Sequence, residues 1–181
     1  MKRTLATVCP ALAVLLGNTG ISWSAEPIKA YCLLGTKHSH SPIAGQCSDA
    51  YESGDYATAY REWKPLAEKG LANAQHNLGQ IYRRVQRAPQ GYKTAVKWYR
   101  LAAKQGDAIA QSNLGTMYNN GQGVPKDYVR AHMWFNIAAK YGNNKNASGN
   151  RDIVAKQMTT SQLETAQRLA RECVRRKYKG C

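Results

Sequence analysis

Asn113-Leu114-Gly115-Thr116-Met117-Tyr118 decides the reading of this chain, because Asn77-Leu78-Gly79-Gln80-Ile81-Tyr82 stands 36 residues before it. Ala95, Trp98, Ala102, Ala103 and Gly106 return at the same offset as Ala131, Trp134, Ala138, Ala139 and Gly142. Ala59, Ala67 and Gly70 keep the frame of an earlier, partial copy. A fixed period of this length marks stacked supersecondary units, each unable to bury its apolar face alone.

Each full unit reads as two helices. Ala74, Leu78, Ile81 and Tyr82 recur at helical spacing, as do Ala95, Trp98, Tyr99, Ala102 and Ala103. In the next unit the first helix carries Ala110, Leu114, Met117 and Tyr118, and the second Ala131, Trp134, Phe135, Ala138 and Ala139. Paired alanines let neighbouring helices approach, and Tyr82, Trp98, Tyr118 and Trp134 fill the layer between them. Gly79 and Gly115 fall mid-helix, where glycine costs about 1 kcal/mol relative to alanine. A cost accepted twice at one position points to a close helix crossing. In the partial unit, Asp55 caps a helix carrying Tyr56, Ala59, Tyr60, Trp63, Leu66 and Ala67, Pro65 kinks it, and Gly70 ends it.

The flanks differ in character. Lys2 and Arg3 precede an apolar stretch from Leu5 to Gly17 and the small-residue segment Ser22-Trp23-Ser24-Ala25. This order reads as a secretory signal peptide over 1–25 rather than an uncleaved anchor, the apolar run being short for a membrane span. Cleavage after Ser24 places Ser22 at the −3 position, whereas cleavage after Ala25 places Trp23 there. A loop-like arm over 26–47 follows, punctuated by Gly35, Pro42 and Gly45. Repeats occupy 48–142, as a partial unit at 48–70 and full units at 71–106 and 107–142. Residues 143–181 form a C-terminal helical cap and basic tail. A polar linker at 143–146 leads to a helix from about 147 to 157. Thr159 and Gln162 make a capping-box pattern before a helix striped with Leu163, Ala166, Leu169, Ala170 and Cys173.

After cleavage four cysteines remain, Cys32, Cys47, Cys173 and Cys181, an even number that suggests disulfides in an exported chain. Four cysteines allow three connectivities; the favoured pairing joins near neighbours, Cys32 with Cys47 and Cys173 with Cys181. His38 and His40 lie between the first two, a set able to hold zinc, although oxidation is the commoner fate of such cysteines. The formal charge of +15 falls to about +13 on cleavage, an excess that favours anionic partners. For an exported chain these are acidic glycans, lipid head groups or acidic protein surfaces rather than nucleic acid. Solvated faces that keep a solenoid soluble need the same charge.

The run Ala110-Gln111-Ser112-Asn113-Leu114-Gly115-Thr116-Met117-Tyr118-Asn119-Asn120-Gly121-Gln122-Gly123-Val124-Pro125-Lys126-Asp127 resembles the Sel-one-like repeat, a relative of the tetratricopeptide repeat. Ala131-His132-Met133-Trp134-Phe135-Asn136-Ile137-Ala138-Ala139 resembles its second half. The resemblance covers about 48–142, and the tail is similar to the ending of exported bacterial members. It implies an all-α, right-handed α-solenoid of stacked antiparallel helix pairs that acts as an adaptor in protein complexes. The unit at 71–106 departs from the pattern, with Val85, Arg87 and Gly91 where the next has Gly121, Gly123 and Asp127. Its inter-helix loop is therefore expected to be ordered differently. Some cysteine-rich members carry a β-lactamase label, but their disulfide within each repeat is missing here.

No nucleophile motif or phosphate loop appears, and none of the sequence calls for a cofactor or catalytic metal. His76 and His132 read as surface residues. The best binding candidates lie on the first helix of each unit, which in such solenoids lines the concave face. They are Asn77, Gln80, Arg83 and Arg84, with Asn113, Thr116, Asn119 and Asn120 in the next unit. An asparagine amide can donate to and accept from a peptide backbone at once; the competing role for Asn77 and Asn113 is a bond to the neighbouring repeat. Arg175, Arg176, Lys177 and Lys179 form a positive patch for anionic lipid or glycan, or a solvated tail. The sequence thus reads as a non-enzymatic, periplasmic or secreted protein- or peptide-binding scaffold, not an integral membrane protein once cleaved. The alternatives are a cell-wall- or β-lactam-directed hydrolase and a binder of anionic envelope surfaces.

Overall fold

The structure, a computed structural model, describes residues 49–85 and 89–181. The expected signal peptide and arm, Cys32, Cys47, His38, His40 and Arg87 lie outside the described residues. Those residues are helical, with no strand among them: α1 Tyr56–Glu68, α2 Ala72–Val85, α3 Pro89–Ala103, α4 Ala108–Asn120, α5 Tyr128–Lys140, α6 Lys145–Ala155 and α7 Thr160–Arg175. From α1 to α5 each helix packs on the next, and α6 and α7 both pack on α5. This is the all-α solenoid the repeat required.

Short polar residues start α1, α4, α5, α6 and α7, and glycines stop α1, α3 and α4. Asp55, Asp107 and Asp127 accept from the backbone N–H three residues on, at 3.1, 2.7 and 2.9 Å, and Thr159 and Gln162 form the expected capping box. Gly70 and Gly106 end α1 and α3 in the left-handed conformation, φ +93° and +87°. Each donates to the carbonyl three residues back, and Leu71 and Asp107 reach back to Leu66 and Ala102 at 3.1 and 3.2 Å. Helix α1 runs unbroken through Pro65, which faces solvent.

The mid-helix glycines meet rings. A Cβ on Gly79 would lie 2.5 Å from the Tyr99 ring, and one on Gly115 2.7 Å from the Phe135 ring. Tyr99 and Phe135, again 36 residues apart, are the fully buried aromatics of the second helices. Tyr118 and Trp134 are buried as expected. Tyr82 and Trp98 are only half-buried: Trp98 packs on the smaller α1–α2 core of Ala59, Trp63, Leu66, Ala67, Ala74, Leu78 and Ile81, and Tyr82 on the margin of the main core.

Two departures from regularity follow from single residues. Helix α3 starts a turn earlier in the repeat frame than α5, since Gly91 replaces the capping Asp127. Helix α6 starts at Lys145, ahead of the expected 147, because Asn144 caps it by accepting from Ala147 at 3.2 Å rather than serving as linker. At that junction Asn143, not Gly142, takes the positive φ of 50°. Gly142 stays glycine because a Cβ there would overlap that of Ala108.

Cys173 and Cys181 are bonded, fastening the C-terminal turn onto α7, and Tyr178 within that turn packs on the main core. Replacing both cysteines by serine is expected to lower stability by roughly 2–3 kcal/mol, from the small loop that is closed. Urea unfolding of the variant beside the oxidised parent checks this.

Candidate functional site

The first-helix candidates divide once their neighbours are seen. Gln80 accepts from the Tyr51 hydroxyl at 3.1 Å, and the Arg84 guanidinium lies 5.1 Å from the Tyr51 ring centroid. Both therefore serve the chain's own N-terminal segment. Thr116 donates back to the Ser112 carbonyl at 3.2 Å, and Asn119 donates to Asn120 at 2.9 Å. Arg83 has a buried Nε with no hydrogen-bond partner among the described residues.

Asn77 and Asn113 are half-buried, and neither side chain is hydrogen-bonded among the described residues. The bond between repeats is made instead by Gln75 and Gln111, two positions earlier. Gln75 Nε2 donates to the Ala67 carbonyl at 3.1 Å, and Gln111 Nε2 to the Ala103 carbonyl at 3.3 Å. Both glutamines are buried, so each amide finds its partner in a helix-end carbonyl, adding a second bond to one that already accepts from Gly70 or Gly106. Gln105 adds a clasp, donating at 2.8 Å to both the Gly70 carbonyl and Gln75 Oε1. The recurrence of Gln75 as Gln111 was the available signal for this role.

The histidines are not surface residues: His76 is 8% and His132 3% exposed. His76 Nδ1 lies 2.9 Å from Asp107 Oδ2, while Asp107 Oδ1 caps α4. One carboxylate thus joins α2 to the start of α4. Burial pushes the Asp107 carboxyl upward, but His76 and the N–H groups of Ala110 and Ile109 together hold it below its ordinary value. Burial lowers the His132 imidazole, with Arg151 adding to that and Asp152 opposing it. No cluster of three or more His, Cys, Asp or Glu side chains among the described residues is placed to hold a metal.

The basic patch is closed off by the disulfide. Arg175, Arg176, Lys177 and Lys179 are all exposed, in and beside a turn where Lys177 and Tyr178 have φ of 50° and 62°. No described helix is long and apolar enough to cross a membrane.

The Sel1 repeat family model matches residues 72–107 and 108–143, the two helix pairs in which the glycine–ring crossing and the bond from Gln75 or Gln111 to a helix-end carbonyl recur. The chain carries two Sel1 repeats. Among solved structures it is similar to a protective antigen present in uropathogenic Escherichia coli strains that displays an SLR fold. The TM-score is 0.67 at 29% identity, over 75% of this chain and 30% of the antigen chain. This chain thus spans less than a third of that antigen's length. Comparison with curated proteins gives no match. Sel1 repeats suggest a protein-interaction scaffold.

Asp107→Asn keeps a capping oxygen but removes the charge facing His76. The folded carboxyl is depressed, so its contribution is full above the unfolded pKa and is lost as pH falls through the folded one. The variant is expected to be less stable by about 1–3 kcal/mol near neutrality. The difference should shrink as pH drops below about 4, read by denaturant unfolding across pH.

Proposed function

We propose that this chain is an exported, non-enzymatic scaffold that binds a protein or peptide along the first helices of its repeats. The observation that carries the reading is the pair Asn77 and Asn113: half-buried amides, 36 residues apart, at one register of α2 and α4, with no hydrogen bond among the described residues. Structural ties between repeats already fall to Gln75 and Gln111, which leaves the asparagine amides available to a partner backbone. Export is supported by the N-terminal charge-then-apolar order and by the Cys173–Cys181 bond, which favours an oxidising compartment. A periplasmic or secreted location also agrees with the similarity to a bacterial antigen. Against catalysis stands the use of the His76–Asp107 pair as a helix tie rather than an activated nucleophile.

The test is affinity capture from envelope extract with the oxidised protein at two salt concentrations, beside an Asn77→Ala/Asn113→Ala variant of equal thermal stability. One protein retained at both salts and lost with the variant is the expected result. Equal retention by the variant would remove the first-helix surface from consideration.

A second reading has its own observation, the four exposed cations Arg175, Arg176, Lys177 and Lys179 carried on the Cys-closed turn. They suit an anionic lipid or glycan surface. Binding to vesicles containing anionic lipid should fall steeply with salt and vanish when the four charges are reversed. Binding that survives the reversal contradicts this reading.

A further inference from the structure

The last helix pair breaks the pattern that builds the others. Aligned on their caps, Asp107 and Asn144, and on the buried Ala110 and Ala147, α6 places Arg151 and Asp152 where α4 has Leu114 and Gly115. The glycine that lets α4 sit beneath Phe135 is therefore missing from α6. Helices α6 and α7 each lean on α5 but scarcely touch one another. Between them a cleft of about 480 Å³ opens over α5.

His132 lines this cleft, on the same α5 stripe as Asn136 and Lys140. Arg151 and Asp152 line it from α6 and Arg171 from α7. A merely solvated cap needs no buried histidine. In the repeat frame the position of His132 belongs to Val96, an ordinary apolar core residue. His132 is 3% exposed, and its Nδ1 is buried without a hydrogen-bond partner among the described residues. An orphaned polar group costs stability, so one kept at an open cleft points to a ligand that completes its bonding.

Charge selects the ligand. Arg151 and Asp152 pair at 2.8 Å and largely cancel. Glu172, beside Arg171, is committed to Arg168 at 2.9 Å. Lys140 lies over the Tyr141 ring, 5.6 Å from its centroid, with no carboxylate recorded against it among the described residues. The rim thus carries Lys140 and Arg171 as uncompensated cations. Half-buried Asn136 adds an amide donor, and Ala155, Leu163 and Ala170 offer an apolar wall for an aliphatic stem. The space exceeds what a bare inorganic anion fills and lies within the range of small-ligand sites.

We propose that the cleft between α6 and α7 binds a carboxylate of an acidic peptide, held by the His132 ring N–H and the Asn136 amide and attracted by Lys140 and Arg171. The carboxylate comes from an acidic side chain or from a peptide C-terminus. The site lies wholly on α5, α6 and α7 and uses neither Asn77 nor Asn113, so it stands or falls apart from the first-helix surface.

The experiment titrates the isotopically labelled, oxidised chain with three short N-acetylated alanine peptides. One has a central glutamate and an amidated end, one a free C-terminal carboxylate, and one is neutral and amidated. At least one acid-bearing peptide is expected to shift the His132 ring resonances, whereas the neutral peptide leaves them unmoved. Which acid peptide acts identifies the source of the carboxylate. Arg171→Glu, at an exposed position, should weaken binding at least tenfold without loss of fold. His132→Val restores the residue type of the regular repeat and should fold normally while binding no acid peptide. Three results would each overturn the proposal: no response at millimolar peptide, equal response to the neutral peptide, or undiminished binding by folded Arg171→Glu or His132→Val.

Discussion

The approach of Gly79 to the Tyr99 ring, and of Gly115 to that of Phe135, is the constraint from which the stack follows. A mid-helix glycine gives up about 1 kcal/mol of helix preference. Full burial of a large aromatic ring is worth roughly 2–3 kcal/mol, so burial wins, but only while no Cβ intervenes. The crossing glycine and the ring therefore recur together, and the 36-residue period of the sequence is the period of that contact.

The crossing fixes each pair internally, and a second set of contacts fixes pair to pair. Gln75 and Gln111 reach the carbonyls of Ala67 and Ala103 eight residues back, across the turns made by Gly70 and Gly106. Because these amides are buried, a slip between units would strand the glutamine donors, while the carbonyls would keep the N–H groups of Gly70 and Gly106. The third-unit loop adds another register stop, since a Cβ on Gly123 would overlap the Tyr92 carbonyl at the start of α3. Where the pattern ends, so does the close packing: Arg151-Asp152 replaces Leu114-Gly115, His132 replaces Val96, and the space between α6 and α7 stays open. Regular positions build the scaffold, and the irregular ones are left with chemistry.

Much of this was legible in the sequence. Asp55, the Thr159–Gln162 box, the stop at Gly70 and the close crossing at Gly79 and Gly115 are local or periodic signals, and the structure has each of them. Of the three connectivities the sequence leaves open, the structure has the Cys173–Cys181 bond that proximity in the chain favours. What failed was inference about polar residues, because polarity alone does not say which way a side chain points. His76 and His132 looked like surface residues, yet the apolar Val96 in the frame of His132 already marked a core position. Asn77 and Asn113 drew attention, while the equally periodic Gln75 and Gln111 hold the repeats together. Gln80 and Arg84 were read as open to a partner, but they hold Tyr51, a contact between segments far apart in sequence.

The most direct measurement is the unfolding free energy of Gly79→Ala, Gly115→Ala and Gly149→Ala, each made singly. Gly149 sits within α6 with nothing within 4 Å of a built Cβ, so it reports helix preference alone. The expected result is stabilisation by up to about 1 kcal/mol at Gly149. At Gly79 and Gly115 a loss of about 1–3 kcal/mol is expected, partly recovered at Gly115 when Phe135 is reduced to leucine. Alanine stabilising all three positions alike would contradict the account, because the crossing would then place no demand on glycine.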